Sequence, residues 1–185
     1  MTGEHKKPEY AKINPYQQVP GMTDGEVAIG ESVAILRYIA LNYLPSAYPL
    51  DKPALCAKID NAAEAFSQCY GFHSKTVYVV YGYAGPQADQ AAQCAGYVTA
   101  AEKWIDSFVG EGATFVGGDT PSIADYKAAP FLFSAVQPAC KKLIGLEMPP
   151  KVVAYVNAFC KAVASSAFMN SAGGYSLKEI AASKC

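Results

Sequence analysis

The sequence has no hydrophobic run long enough to cross a membrane and little charge of either sign. Asp, Lys, Asn or Gln interrupts each apolar stretch well before the ~18 residues that a span requires. We therefore do not expect this chain to be an integral membrane protein. Charged residues make up 17% of the chain, and the formal net charge is −1. The longest basic runs are Lys6-Lys7 and Lys141-Lys142. We therefore expect no binding of nucleic acid.

Metal-binding and disulfide patterns are also missing. The six cysteines include no Cys-x-x-Cys pair, and only two histidines could join them as ligands, so no zinc site is expected. An even cysteine count is compatible with disulfides, but the chain is long, is not loop-rich and begins without a charged and then apolar signal segment. We expect free, mostly buried thiols and a reducing compartment, either the cytoplasm or an organelle interior.

What the sequence does contain is enough apolar material for a core, since 51% of its residues are hydrophobic. Short apolar stretches flank Asp24-Gly25, a dipeptide typical of tight turns, and predict a two-stranded ribbon over residues 19–29. A helix follows, which Ser32 can cap and Pro45 ends. Its apolar face comprises Val33, Leu36, Ile39, Ala40 and Tyr43.

From about residue 48 alanine-rich helical periodicity replaces the strand-like pattern, so we divide the chain into residues 1–47 and 48–185. One helix is predicted from about Lys52 and a second from about Pro86, whose ring suits a first helical turn. The inward face of the first comprises Leu55, Ile59, Ala62, Phe66 and Tyr70, and that of the second comprises Ala91, Ala95, Val98, Ala101, Ile105 and Phe108. The tyrosine-rich and valine-rich residues 71–85 between them are predicted to be a helix end and a loop.

The last third of the chain predicts more helices. Ser122 and Asp125 have capping-box spacing: the serine can accept from the Asp125 N–H, and the aspartate carboxylate can accept from the Ser122 N–H. Pro130 should kink that helix roughly two turns in. Further helices are predicted over residues 149–163 and 176–182.

Several motifs follow one another in a recognisable order. They are Gly3-Glu4-His5-Lys6-Lys7-Pro8-Glu9-Tyr10, Asn14-Pro15-Tyr16-Gln17-Gln18-Val19-Pro20, Asp24-Gly25, Glu31-Ser32-Val33-Ala34-Ile35-Leu36-Arg37-Tyr38-Ile39, Tyr48-Pro49, Phe115-Val116-Gly117-Gly118-Asp119 and Ser122-Ile123-Ala124-Asp125. This order resembles the soluble glutathione transferases, especially the phi and theta-like classes. The resemblance implies a mainly α fold, with a truncated thioredoxin-like N-terminal part (a β-hairpin plus a helix) and an all-α helical-bundle C-terminal domain.

The resemblance also implies glutathione as co-substrate and a set of binding residues. Glu31 and Ser32 match the acid and hydroxyl that hold the γ-glutamyl end, where a helix N-terminus supplies further N–H donors. Val19-Pro20 matches a cis-proline turn whose backbone pairs with the cysteinyl part, and Gln18 matches a side chain that helps to hold it. His5 and Lys6 match residues that meet the glycine carboxylate. Without the resemblance, the residues favour Ser32 as a simple helix cap, with Glu31 a favourable charge beside it.

The matched pattern begins after the point where the family places its thiol-activating serine, tyrosine or cysteine. We therefore assign no catalytic residue and expect this chain to retain part of a glutathione pocket without activating the thiol, which leaves its status as an enzyme open. Two alternatives are an active transferase whose amino-terminal segment is missing from this sequence, and a non-catalytic scaffold or accessory subunit of a larger assembly. A protein partner is expected in either a homodimer or a larger complex. The aromatic group Tyr70, Phe72, Tyr78, Tyr81 and Tyr83 falls where the family builds its electrophile site, but tyrosines there more often serve packing or partner contacts, and we assign it no role.

Overall fold

The computed structural model describes residues 3–163, which begin with a 3-10 turn at Glu4–Lys6 and a short helix α1 at Pro8–Ala11. Strands β1 (Gly21–Asp24) and β2 (Val27–Gly30) form an antiparallel hairpin. Gly25 opens the turn with φ +56°, a conformation that glycine adopts without steric cost. The predicted ribbon around Asp24-Gly25 is therefore confirmed.

Helix α2 (Ser32–Tyr43) follows directly, and it corrects the predicted role of Ser32. The N-cap residue is Glu31, with φ 66° and ψ 118°, and Ser32 is already the first helical residue. The prediction was one residue late because the chain turns sharply out of β2 at Glu31 rather than after it. The predicted face is also too wide: Val33 and Ala40 are buried, but Ile39 and Tyr43 are 38% and 67% exposed.

A 3-10 turn at Pro45–Ala47 leads into the helical part of the chain. Its helices are α3 (Pro53–Ala65), α4 (Ser67–His73), α5 (Val77–Tyr81), α6 (Gln90–Phe108), α7 (Ile123–Ala135), α8 (Pro138–Ile144) and α9 (Pro150–Ala162). Together with the hairpin they confirm the mainly α fold. Residues 71–85 add α5, a short helix that the prediction of a helix end and loop did not include.

The start of α6 differs from the prediction by about one turn. The helix begins at Gln90, because the Asp89 carboxylate accepts the N–H of Ala92 at 2.9 Å and caps it there. Pro86 lies outside the helix. Ala101 and Ile105 are buried as predicted, but Ala91 and Ala95 are exposed. The other buried residues of α6 are Cys94, Tyr97 and Trp104, so its inward face is rotated from the predicted one.

Helix α9 corresponds to the helix predicted over residues 149–163, and α8 precedes it as an additional helix. Pro138 begins α8, which has no counterpart in the prediction, and α9 begins one residue later than predicted. On α9 the buried side chains are Val152, Tyr155, Val156 and Phe159, and Val153 is half-buried. The helix predicted over residues 176–182 lies outside the described residues.

The core of the helical part centres on Phe66, between α3 and α4. Its ring meets Trp104 edge-on with centroids 5.5 Å apart and lies 5.9 Å from Phe131 of α7. The Trp104 indole N–H donates to the Ala62 carbonyl at 2.8 Å, so this buried polar group is satisfied. Among the described residues Cys56, Cys69 and Cys94 are free thiols, as expected. Burial raises the pKa of Cys69 to about 12, which makes it unreactive.

Helix α7 begins with the predicted capping box. The Ser122 N–H and hydroxyl donate to one Asp125 oxygen at 2.8 and 2.7 Å, and the other oxygen accepts from the Val116 N–H at 3.2 Å and the Tyr155 hydroxyl at 2.7 Å. Asp125 is fully buried, and these donors replace its lost hydration. Pro130 lies inside the helix as predicted. The carboxylate joins α7 to the preceding loop and to α9.

Candidate functional site

The hairpin register brings the two principal motifs together. Gly21 pairs with Gly30 at the open end of the ribbon, so the next pair outward sets Pro20 opposite Glu31. Glu31 leads at once into α2. The predicted residues Val19, Pro20, Glu31 and Ser32 therefore lie at one end of the hairpin, beside the N-terminus of α2.

Asn14 fixes the loop that carries Val19. Its amide nitrogen donates to the Gln18 carbonyl at 2.9 Å, and its amide oxygen accepts the Tyr16 N–H at 3.0 Å. Asn14 is buried and packs so closely on Gly30 that a Cβ there would collide with its side chain. The sequence reasoning gave Asn14 no role, although a buried asparagine in a proline-containing loop often stabilises a turn in this way.

The Val19–Pro20 peptide bond is cis, in agreement with the turn that the resemblance implied. Val19 is 57% exposed. Within residues 3–163 no hydrogen bond uses its backbone N–H or carbonyl. An extended ligand backbone could therefore pair with it. The carbonyl of the preceding residue, Gln18, is already occupied within the chain. It accepts from the Asn14 side chain and from the Tyr10 hydroxyl, the latter at 3.1 Å.

Glu31 and Ser32 place a hydrogen-bond acceptor and hydrogen-bond donors side by side. The Glu31 side chain is exposed, and its backbone adopts a left-handed φ of 66°, which costs about 1–2 kcal/mol for a residue with a Cβ. The first N–H groups of α2 have no acceptor within the helix, and its first turn contains no acidic residue. A carboxylate acceptor thus stands next to a cluster of neutral donors, with the hydroxyl of half-buried Ser32 among them.

The structure brings Lys6 to this loop but leaves His5 without a defined contact. The Lys6 ammonium donates to the Gln17 carbonyl at 3.1 Å, and the Gln17 side chain donates to the carbonyls of Lys6 and Lys7 at 3.0 and 3.1 Å. These bonds tie the first turn of the chain to the segment before Val19. Within the part of the chain that the structure describes, no hydrogen bond joins His5 to Val19 or Glu31. The side chain of Gln18 is exposed.

An aromatic cluster lies in the helical part, where α4, α5 and α7 meet. The hydroxyls of Tyr70 and Tyr78 are 3.2 Å apart, and Tyr83 meets Tyr78 edge-on with centroids 5.7 Å apart. His73 stacks on Tyr70 and meets Phe131 edge-on at 5.0 Å. Burial lowers the pKa of His73 to about 4 and raises that of Tyr78, so both side chains are neutral near pH 7. Phe72, predicted as part of this group, instead packs against Gly96 of α6.

Lys127 is a charged residue near the site that the sequence reasoning did not identify. It lies on α7, is half-buried, and is close enough to Glu64 and Glu31 for both carboxylates to raise its pKa, although burial lowers the pKa overall. No sequence pattern pointed to it, because its neighbourhood depends on the packing of α7 against α2 and α3.

The described residues contain no group of His, Cys, Asp and Glu side chains arranged to hold a metal ion. No helix in residues 3–163 is both long and apolar enough for a membrane span.

Comparison with known proteins agrees with this geometry. The family model "Glutathione S-transferase, N-terminal domain" matches residues 1–41. The tobacco protein "Glutathione S-transferase APIC" is 46% identical over 50 residues, which are 27% of this chain and 24% of the tobacco protein. Maize "Glutathione S-transferase 3" is 48% identical over 42 residues, 23% of this chain and 19% of the maize protein. The matched segments thus span about a quarter or less of these relatives' length.

Solved structures match over nearly the whole chain. Human glutathione S-transferase T1-1 in its apo form has a TM-score of 0.75 and 25% identity, covering 98% of this chain and 76% of the human one. Glutathione S-transferase I from maize, in complex with an atrazine glutathione conjugate, has a TM-score of 0.69 and 22% identity, covering 99% of this chain and 81% of that one. The hairpin, α2 and the helical part therefore share the arrangement of these proteins.

Proposed function

We propose that the hairpin end of this chain binds the γ-glutamyl-cysteinyl part of glutathione, and the similarity of residues 1–41 to the glutathione S-transferase N-terminal domain supports this proposal. The observation that supports this most directly is the pairing of Glu31 with the N-terminus of α2, across the hairpin from Val19 and Pro20. The γ-glutamyl end of glutathione carries an ammonium and a carboxylate. Glu31 accepts the ammonium, and Ser32 with the first N–H groups of α2 donates to the carboxylate.

The strained backbone of Glu31 is consistent with this role. The Glu31 backbone has a φ of 66°, while its exposed side chain makes no hydrogen bond or ion pair within residues 3–163. Strained positions of this kind concentrate at ligand sites. The conformation lets the chain leave β2 and enter α2 with the carboxylate beside the helix N–H groups. The ammonium and the carboxylate of an α-amino-acid group can then both be bound at the start of α2.

The rest of the tripeptide extends along the loop. The Val19 backbone pairs with the cysteinyl part in the manner of an added strand, and Gln18 supports it. Lys6, held beside Gln17, binds the glycine carboxylate, with His5 as a second cationic or hydrogen-bonding group. Glutathione is thus the co-substrate that this end of the molecule takes.

We further propose that this chain alone conjugates glutathione weakly. Lowering the pKa of a thiol requires a donor or a positive charge beside the sulfur. Within residues 3–163 the Tyr10 hydroxyl lies at the loop that carries Val19, and there it donates to the Gln18 carbonyl. Tyr16 is 78% exposed and is not held beside the loop by its side chain. The thiolate would then lack the stabilisation on which conjugation depends.

Titration calorimetry with glutathione in reducing buffer tests the binding proposal. Glu31→Gln should weaken binding about tenfold, because a charge-assisted hydrogen bond to the ammonium is lost. Glu111→Gln, which changes an exposed glutamate between α6 and α7, is the matched control and should bind like the unchanged chain. Equal affinity of the Glu31 and Glu111 variants would contradict the proposed site.

A conjugation assay with a general aromatic electrophile tests the proposal of weak activity. The expected rate is close to the uncatalysed background at the same glutathione concentration. A rate far above background that Glu31→Gln abolishes would show that this chain supplies a thiol-activating group, and our second proposal would then be wrong.

A scaffold role is the second candidate, and the free edge of β1 favours it. Within the described residues β1 pairs only with β2, and such an edge can accept another strand. Size-exclusion chromatography with light scattering tests this role: Thr23→Lys, a charge on the exposed edge residue, should reduce the assembled mass. An unchanged mass would count against the edge as a docking surface.

A further inference from the structure

Lys127 reaches the candidate site from the helical part of the chain. It lies in the second turn of α7, which packs against α2 and against α3. Glu31 begins α2, and Glu64 lies in the last turn of α3. Lys127 is therefore at a junction of three helices, close to the carboxylate that the proposed function assigns to the ligand ammonium.

The position of Lys127 is fixed by the rigid start of α7. Asp125, two residues earlier, accepts from Ser122, Val116 and Tyr155. One turn after Lys127, Phe131 packs with its ring centroid 5.2 Å from that of Tyr70 and 5.0 Å from that of His73. Residues four apart share a helix face, so Lys127 lies on the same side of α7 as Phe131, next to the aromatic cluster.

The Lys127 ammonium has no ion-pair partner in the described chain. The ion pairs within residues 3–163 are made by Arg37, Lys141 and Lys151. Lys127 is half-buried, and partial burial of an ammonium without a paired carboxylate is unfavourable. Glu31 and Glu64 lie near enough to influence it but do not approach within ion-pair distance. A ligand carboxylate placed between Lys127 and α2 would supply the missing partner.

We propose that Lys127 is a further glutathione-binding residue, whose ammonium pairs with the α-carboxylate of the γ-glutamyl group while Glu31 binds the neighbouring ammonium. The inference rests on the proposed function and names a second charged contact for the same ligand group. An α-amino-acid zwitterion is matched best by one anion and one cation. The first turn of α2 offers only neutral donors, since Ser32 is followed by Val33 and Ala34. Lys127 supplies the cation from α7.

Two glutathione analogues separate the contacts in a calorimetric test. 4-Aminobutyryl-cysteinylglycine lacks the α-carboxylate and keeps the amine, whereas glutaryl-cysteinylglycine lacks the amine and keeps the carboxylate. Lys127→Gln and Lys127→Met remove the charge, Lys127→Arg keeps it, and Lys103→Gln changes an exposed lysine of α6 as the matched control. Thermal unfolding verifies that each variant is folded.

Lys127→Gln and Lys127→Met should bind glutathione about tenfold more weakly, and Lys127→Arg should retain most of the affinity. The same two neutral variants should bind 4-aminobutyryl-cysteinylglycine as the unchanged chain does, because the carboxylate that Lys127 contacts is absent. Glu31→Gln should show the converse pattern, with unchanged affinity for glutaryl-cysteinylglycine. Lys103→Gln should resemble the unchanged chain with every ligand.

The outcomes distinguish this inference from the proposed function. Normal glutathione affinity in the neutral Lys127 variants, together with a loss in Glu31→Gln, would overturn the role of Lys127 and leave the proposed site intact. An equal loss for glutathione and for the analogue without the carboxylate would also overturn it, because the effect would then be structural. No binding of glutathione by the unchanged chain would overturn both.

Discussion

Acidification should destabilise the folded chain through His73, and the magnitude follows from its environment. The imidazole is buried among Tyr70, Tyr78, Tyr97 and Phe131 and has a hydrogen bond of 3.0 Å between Nδ1 and the Tyr97 hydroxyl. Burial lowers its pKa to about 4 in the folded state, against about 6.5 in an unfolded chain. As pH falls below 6.5, the unfolded state takes up a proton that the folded state does not.

The free energy of unfolding should therefore be independent of His73 above about pH 7 and fall by at most about 1.4 kcal/mol per pH unit between the two pKa values. Between pH 7 and pH 4.5 the expected loss is roughly 2 kcal/mol. Urea denaturation across this range, on the unchanged chain and on His73→Phe, isolates the contribution as the difference between the two curves. The variant should lose some stability at pH 7, because the Tyr97 hydroxyl loses the shorter of its two hydrogen bonds and keeps the one of 3.5 Å to the Phe131 carbonyl. It should lose less on acidification.

The control is His5→Gln, which removes the other histidine of the sequence. Its curve measures how much of the pH dependence belongs to a histidine other than His73. If the His73→Phe and unchanged curves were parallel between pH 7 and pH 4.5, His73 would titrate alike in the folded and unfolded states. The inference from its burial would then be wrong. NMR titration of the His73 imidazole offers a direct check, since a pKa near 6.5 in the folded chain would contradict the same inference.

The remaining predictions concern packing and buried polar groups. Asp125→Ala should lower the free energy of unfolding by about 3–5 kcal/mol, since it leaves the donors of Ser122, Val116 and Tyr155 buried without an acceptor. A loss below about 1 kcal/mol in urea denaturation would contradict this prediction. Gly96→Ala should cost about 1–3 kcal/mol, because its Cβ would collide with the Phe72 ring. Gly71→Ala on α4 meets nothing within 4 Å and should instead stabilise by up to about 1 kcal/mol, so thermal melting in which both variants shift alike would refute the steric argument.

The features predicted correctly from the sequence are those that local chemistry determines. Asp24-Gly25 specifies a tight turn wherever apolar stretches flank it, and the turn formed there. Ser122 and Asp125 are three residues apart, which is the spacing of a reciprocal cap, and both hydrogen bonds are present. In each case the groups that interact lie within four residues of one another. The information needed for the prediction was therefore contained in one short segment.

The incorrect predictions needed information from elsewhere in the fold. The apolar pattern predicts Ala91 and Ala95 as inward, but alanine has little surface to bury. The larger Tyr97 and Trp104 determine which side of α6 faces the core. The start of α6 was placed at Pro86 because a proline suits a first turn, whereas the Asp89 carboxylate provides the cap. Two plausible start signals three residues apart cannot be ranked from the sequence alone.

The candidate site also combines residues that local motifs predict with residues that only the packing of the helices brings together. Glu31 and Val19 were found from motifs, but Lys127 and the contacts of Arg37 arise only when the helical part packs on α2. Arg37 of α2 pairs with Asp60 of α3 at 2.5 Å.

Two contacts of Tyr48 add to the ion pair between Arg37 and Asp60. The Tyr48 hydroxyl donates to the same Asp60 carboxylate at 2.8 Å, and the Arg37 guanidinium lies 5.4 Å from the centre of the Tyr48 ring. A two-stranded hairpin is marginally stable by itself, so the orientation of Glu31 depends on the docking of α2 onto α3 and α7. The helical part therefore acts as the support of the proposed glutathione site, and changes in the α2–α3 contacts are expected to reach that site through the position of α2.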